Sequence, residues 1–171
     1  MTSRCYLGTA DPHRPHIVRA RFVLFDGYPT AVIPALAGIW AGHARRDTHA
    51  LVAAVLAHDW EYLDPTSSSE GRGRVPDVGV PLAGPDGLDA APEPITVFPL
   101  SQAVHLDVAW IYLIDTATHS VAVHTGDGEA AGLYHLDTCV PANPSPPPHV
   151  PPVPRAVASP HCCVPVPGFR R

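Results

Sequence analysis

The chain has 171 residues, of which 46% are hydrophobic and 16% are charged, and this length suits one domain or one domain with a tail. All 11 basic residues are arginine, so the composition excludes chemistry that requires a lysine amine, such as Schiff-base formation. The formal net charge is −5. We expect no nucleic-acid partner, because proteins that bind nucleic acids carry a basic surface.

Two strands are predicted at the start of the chain, a short one over residues 5–8 and a stronger one over residues 17–25. The second alternates in the manner of a strand with one buried face. Arg19 and Arg21 point away from that face, and a turn at Asp26-Gly27 follows. The apolar face comprises Val18, Ala20, Phe22 and Leu24.

Two short helices are predicted next. The first begins near Val32 and ends near Gly42, since Pro34 is tolerated only in the first turn of a helix. The second begins after Asp47, whose carboxylate can accept hydrogen bonds from free N–H groups of the first turn, and ends near His58. The acidic residues that follow, which we interpret as a solvated edge, are Asp59, Glu61 and Asp64.

The middle of the chain, residues 65–94, is rich in proline, glycine and serine and is predicted to be an irregular loop. It is either a mobile excursion or holds one short strand over residues 78–82. After this loop the pattern predicts a weak strand over 95–98, a hairpin of 109–115 with 120–124, and a last short strand over 133–136.

The C-terminal residues 141–171 contain half of the 22 prolines and show no apolar periodicity. We predict a disordered, proline-rich tail there, which follows a single domain over residues 1–140. The order of elements predicts an α+β fold, with an antiparallel sheet of four to six short strands and two helices on one face. Two short helices cannot cover both faces, so we expect the other face to be partly exposed.

Several short motifs resemble a known group of proteins. Ser3-Arg4 opens a strand that ends at Gly8, an Asp26-Gly27-Tyr28-Pro29 turn precedes a helix, and an aromatic-rich strand over 110–115 begins a hairpin. This pattern resembles short uncharacterised proteins of phages and actinobacteria, over residues 1–45 and 108–125. The resemblance implies a small α+β domain and no particular activity.

The turn formed by Asp26, Gly27, Tyr28 and Pro29 is the first candidate for ligand or partner binding. It joins a strand to a helix N-terminus, where free N–H groups and the helix dipole favour an anion, and Tyr28 offers a hydroxyl or a stacking face. The alternative is an ordinary tight turn. In that interpretation Gly27 supplies a positive φ, Pro29 stiffens the exit and Tyr28 packs on the sheet edge.

His135 and Asp137 are the second candidate pair, because residues two apart share one face of a strand. Together with Cys139 they contain ligand types that zinc prefers. The sequence lacks both Cys-x-x-Cys and His-Glu-x-x-His, so we predict no metal site and no cofactor.

The absence of a complete catalytic motif favours a non-enzymatic accessory or protein-interaction module. Its candidate interaction surfaces are the proline-rich tail and the exposed sheet face. The alternative is a small hydrolase or ligand-binding domain, in which Asp26, Tyr28, His135 and Asp137 converge on one pocket at the end of the sheet. We also expect a cytoplasmic protein with reduced thiols and no membrane contact. The oligomeric state stays open.

Overall fold

Helices and strands are described by a computed structural model for residues 3–66, 74–82 and 94–140. The strands are β1 (Cys5–Asp11), β2 (Arg14–Val23), β3 (Trp60–Leu63), β4 (Gly79–Pro81), β5 (Thr96–Pro99), β6 (Trp110–Asp115), β7 (Ser120–Thr125) and β8 (Ala130–His135). The helices are α1 (Pro29–Ala41), α2 (Thr48–Val55), α3 (Leu136–Cys139) and a 3-10 helix (Leu100–His105). The predicted tail and most of the predicted 65–94 loop lie outside the described residues.

All eight strands form one mixed sheet in the order β4-β3-β2-β1-β6-β7-β8, and β5 pairs with β2 on the same side as β3. The predicted α+β class is confirmed. The prediction of an antiparallel sheet with four to six strands is wrong, because β1 pairs parallel with β6 and β2 pairs parallel with β3. Local patterns reveal strands but not the partners of strands that are distant in the chain.

Helix α1 begins earlier than predicted. Pro29 occupies the first helical turn, and Pro34 lies inside the helix. Pro34 is exposed, so water can satisfy the carbonyl of Thr30, which loses the N–H of residue 34 as its helical partner. At α2 the predicted cap is confirmed, because the Asp47 carboxylate accepts a hydrogen bond from the N–H of His49 at 2.9 Å.

The two faces of the sheet carry separate cores. On one face α1 and α2 pack against the sheet, with Leu36, Leu51 and Tyr112 fully buried. On the other face, Phe98 of β5 and Ala103 of the 3-10 helix pack with buried side chains of β2 and β6. The second face is therefore covered at its centre, which the predicted helices alone did not provide.

Arg21 departs from the predicted one-sided burial of β2. Its side chain is only 4% exposed, and its Nε donates to the carbonyl of Leu56 at 2.9 Å, beyond the C-terminus of α2. A carboxylate oxygen of Asp59 lies 4.0 Å from its Nη1, and the other accepts from the N–H of Phe22 at 2.8 Å. The prediction that Asp59 belongs to a solvated edge is therefore wrong, since its side chain is mostly buried beside Arg21 and accepts the Phe22 N–H.

No helix in the described ranges is long and apolar enough to cross a membrane.

Candidate functional site

The predicted turn at residues 26–29 is held by hydrogen bonds to the segment that precedes β1 and to strand β6. The N–H of Gly27 donates to the carbonyl of Ser3 at 2.9 Å, and the hydroxyl of Tyr112 donates to the carbonyl of Gly27 at 2.8 Å. The positive φ of 56° belongs to Asp26, not to Gly27. This corrects the predicted role of the glycine.

Gly27 is required for a steric reason instead. A Cβ at this position would lie 2.6 Å from the carbonyl oxygen of Ser3 and 3.1 Å from the Cβ of Cys5. Asp26 tolerates the left-handed conformation because its short polar side chain is among those that adopt it most readily. The close approach of the chain around Ser3 therefore requires a glycine at position 27.

A shallow hollow that is open to solvent lies beside the turn, and its volume is only about 20 Å³. Asp26 is its charged lining residue, and the remainder of the wall is apolar. A carboxylate at this position repels an anion, so the hollow suits an apolar or cationic group better than the predicted anion. The apolar lining residues are Val23, Phe25, Ala31, Val32, Ala35 and Leu63.

Tyr28 and Pro29 begin α1 without a side-chain cap. The carbonyl of Tyr28 accepts from the N–H groups of Ala31 and Val32 at 3.0 and 2.9 Å, and no side-chain hydrogen bond caps the helix start. Both Tyr28 and Pro29 are half-buried. These contacts are those of an ordinary strand-to-helix turn.

The second candidate pair lies at the opposite end of the strands, along their length. β8 runs antiparallel to β2, with β1, β6 and β7 between them. The C-terminal end of β8, where His135 stands, is therefore remote from the C-terminal end of β2, where Asp26 stands. The structure does not bring His135 and Asp137 together with Asp26 and Tyr28.

The prediction that His135 and Asp137 share a strand face is wrong. β8 ends at His135, and Asp137 belongs to α3. The carbonyl of His135 accepts from the hydroxyl of Thr138 at 2.9 Å, which turns the chain into the helix. Within the described ranges, no group of three His, Cys, Asp or Glu side chains is placed to hold a metal ion.

The two cysteines that the structure describes have free thiols. Cys5 is fully buried, and burial raises the pKa of its thiol well above the ordinary value. A protonated thiol without solvent access is a poor nucleophile. Cys139, which is partly exposed, lies 3.8 Å from the hydroxyl of Thr138.

A side-chain network that the sequence did not reveal connects α1, α2 and the β6–β7 turn. The Nε1 of Trp40 donates to the hydroxyl of Thr48 at 3.0 Å, and that hydroxyl lies 2.7 Å from Nδ1 of His119. Thr48 is 1% exposed, so its hydroxyl is closed to substrates. The network is structural, and its link from residues 40 and 48 to residue 119 spans a distance that no local sequence pattern indicates.

The last strand of the sheet has an unpaired outer side, which we call the β8 edge (residues 132–135). The N–H of Leu136 donates to the carbonyl of His119 at 3.0 Å, and antiparallel pairs alternate between bonded and non-bonded positions. Tyr134 therefore exchanges hydrogen bonds with β7. Leu133 and His135 direct their N–H and C=O groups to the other side, where the described chain has no further strand.

Side chains on the β8 edge are strongly exposed. Leu133 is 62% exposed and Tyr134 is 37% exposed, and they lie on opposite faces of the sheet because successive side chains alternate. One extra residue, Ala131, forms a bulge opposite Val123 and His124. The bulge ends the regular part of the strand, so the free edge is about four residues long.

The strand at the other end of the strand order, β4, is more protected. β4 has three residues and includes Pro81, and Val75 forms an isolated bridge with Gly79 of that strand. Short length, proline and covering chain are the usual protections of an edge strand. Residues 132–135 include neither proline nor an acidic or arginine side chain, so the β8 edge lacks the protections that β4 has.

Comparison with protein-family models, with curated proteins and with solved structures found no match to this chain. The resemblance to short phage and actinobacterial proteins therefore stays a prediction.

Proposed function

We propose that this protein is a non-enzymatic interaction module that binds an extended segment of a protein partner as an additional strand along the β8 edge. The observation that carries the proposal is the outward direction of the N–H and C=O of Leu133 and the N–H of His135. An extended segment placed there forms main-chain hydrogen bonds without rearrangement of the sheet. Addition to an exposed sheet edge is a common mode of peptide recognition.

Exposed side chains next to these backbone groups supply the second element of recognition. Leu133 projects on the face away from α1 and α2, because it pairs with Ala122 in the row that includes Leu113. Tyr134 projects on the helix face, since its partner Val121 belongs to the helix-side core. A bound strand with alternating apolar side chains contacts one of them on each face.

The predicted partner-binding residues take different positions in this proposal. His135 belongs to the β8 edge and Asp137 directly follows it, so both lie beside the bound segment. The turn at residues 26–29, with its hollow, lies at the other end of the sheet. It is a separate candidate contact that does not share a ligand with His135.

Selection from a displayed library of random peptides tests the proposal. We expect the full chain to enrich peptides whose apolar residues alternate. Leu133→Asp should abolish their binding, because it places a carboxylate at the centre of the edge. Val104→Asp is the matched control, since Val104 is 59% exposed but lies in the 3-10 helix. Enrichment that survives Leu133→Asp, or no enrichment at all, contradicts strand addition at this edge.

A further inference from the structure

We infer that the segment bound by the β8 edge has an apolar centre and lysine or arginine residues at both ends. This inference rests on the proposed function, and it specifies the chemistry of the partner. The regular part of the edge is uncharged apart from the titratable His135. Acidic residues stand beyond both of its ends.

At the start of β8 the acidic residues are Asp127 and Glu129, in the β7–β8 turn. Both are exposed. The Thr125 N–H donates to the carbonyl of Glu129 at 2.9 Å, which fixes this residue at the base of the strand. Glu129 therefore precedes the free edge by three residues, on the far side of the Ala131 bulge, and it attracts a cationic residue that extends beyond the paired part of the bound segment.

At the other end of β8 the acidic residues are Asp115 and Asp137. Asp115 pairs with Ser120, and Ser120 pairs with His135, so Asp115 lies in the same row as His135 but two strands inward, roughly 10 Å away. The carboxylate of Asp115 accepts from the N–H of Ala117 at 2.8 Å, and this bond lowers its pKa below the ordinary value. Asp137, which is exposed and follows His135 by two residues, is the nearer carboxylate, so acidic side chains flank the edge on both sides.

Cations that could neutralise these groups are absent from the same part of the chain. Residues 110–140 contain no arginine and no lysine. Two arginines approach this region from elsewhere in the fold, but Arg4 is paired with Asp107 at 2.9 Å and Arg46 stacks over Trp40 at 5.6 Å. A second copy of this chain is a poor occupant for the same reason. Antiparallel pairing of two β8 edges brings the acidic ends of one copy toward those of the other, and like charges repel.

The experiment compares two synthetic peptides that share the apolar centre of the tightest library peptide, one with lysines and one with glutamates at both ends. Binding to the full chain is measured by calorimetry at low salt and at about pH 8, where histidines are mostly neutral. We expect the lysine peptide to bind at least ten-fold more tightly. The difference should shrink in high salt, which screens exposed charges.

The double variant Glu129→Gln, Asp137→Asn should reduce the preference for the lysine peptide while both peptides still require Leu133. Equal affinities of the two peptides, with binding still lost in Leu133→Asp, overturn the inference and leave the proposed function intact. Binding that ignores Leu133→Asp overturns both. A dimer in sedimentation that dissociates in Leu133→Asp also overturns the inference, since the edge is then occupied by a second copy.

Discussion

The hydroxyl of Tyr112 donates a 2.8 Å hydrogen bond to the main-chain carbonyl of Gly27. Tyr112 is in β6 and Gly27 is in the turn before α1, and both are buried. The bond therefore ties the start of the first helix to the centre of the sheet. It satisfies a carbonyl that would otherwise be shielded from water.

Replacing Tyr112 by phenylalanine should destabilise the fold by about 1–2 kcal/mol, because the buried carbonyl of Gly27 loses its partner. Urea unfolding followed by circular dichroism measures the change. Tyr134→Phe is the control, since Tyr134 lies on the exposed β8 edge, and it should change stability by less than about 0.5 kcal/mol. Equal stability of the two variants would show that the Tyr112 bond contributes nothing.

Gly27→Ala should destabilise the protein by about 1–3 kcal/mol, because the new methyl group meets the Ser3 carbonyl and the chain must shift. Asp26→Gly is the matched change at the neighbouring position. It should stay within about 0.5 kcal/mol of the natural sequence, since glycine accepts a positive φ but adds backbone entropy to the unfolded chain. Thermal unfolding of both variants separates the steric requirement at Gly27 from the conformational requirement at Asp26. A more stable Gly27→Ala than Asp26→Gly would refute the steric explanation.

Thr48→Val keeps the shape of the side chain but removes the hydroxyl between Trp40 and His119. We expect a loss of about 1–3 kcal/mol, because the indole N–H of Trp40 is left buried without an acceptor. Thr48→Ser should retain most of the stability, as it keeps the oxygen. A shift in Trp40 fluorescence should accompany the valine variant only. If valine is tolerated as well as serine, the network does not stabilise the packing of the helices.

Alkaline pH should destabilise the protein through Cys5 and Tyr112. Burial raises the pKa of both groups in the folded state, whereas the unfolded chain releases their protons near the ordinary values of about 8.5 and 10. Stability is therefore fully present below about pH 8.5 and decreases at higher pH, because the unfolded state gains by ionising first.

Cys5→Ala isolates the cysteine contribution. Its free energy of unfolding should decrease less than that of the natural sequence between about pH 7 and pH 9.5, since only a group that titrates in this range on unfolding contributes there. Urea titrations at the two pH values measure the difference. Identical decreases in both proteins would mean that the thiol ionises equally well in the folded state.

Features with local causes were predictable from the sequence. Asp47 was identified as a cap because its hydrogen-bond partner His49 is two residues away, and the β6–β7 hairpin followed from its alternation and turn. Features made by distant segments were not predictable. The steric need for Gly27 arises from Ser3, and the burial of Arg21 depends on acceptors beyond α2.

At the candidate site, too, local features were predictable and features made by distant segments were not. The last strand was predicted over residues 133–136, close to β8. Its position as an edge strand depends on the parallel pairing of β1 with β6. That pairing follows from tertiary packing, which no local pattern records. The His135–Asp137 pair was predicted to share a face because the strand was expected to continue, whereas Thr138 caps the carbonyl of His135 and the chain enters α3.

Amide hydrogen exchange at Leu133, with and without the tightest peptide from the library, is the sharpest test of strand addition at the β8 edge. Strand addition requires fast exchange of this amide in the free protein and strong protection in the complex, while the Tyr134 amide, already bonded to β7, changes little. Protection confined to the turn at residues 26–29, or an unchanged Leu133 amide in the saturated complex, would contradict strand addition at the β8 edge.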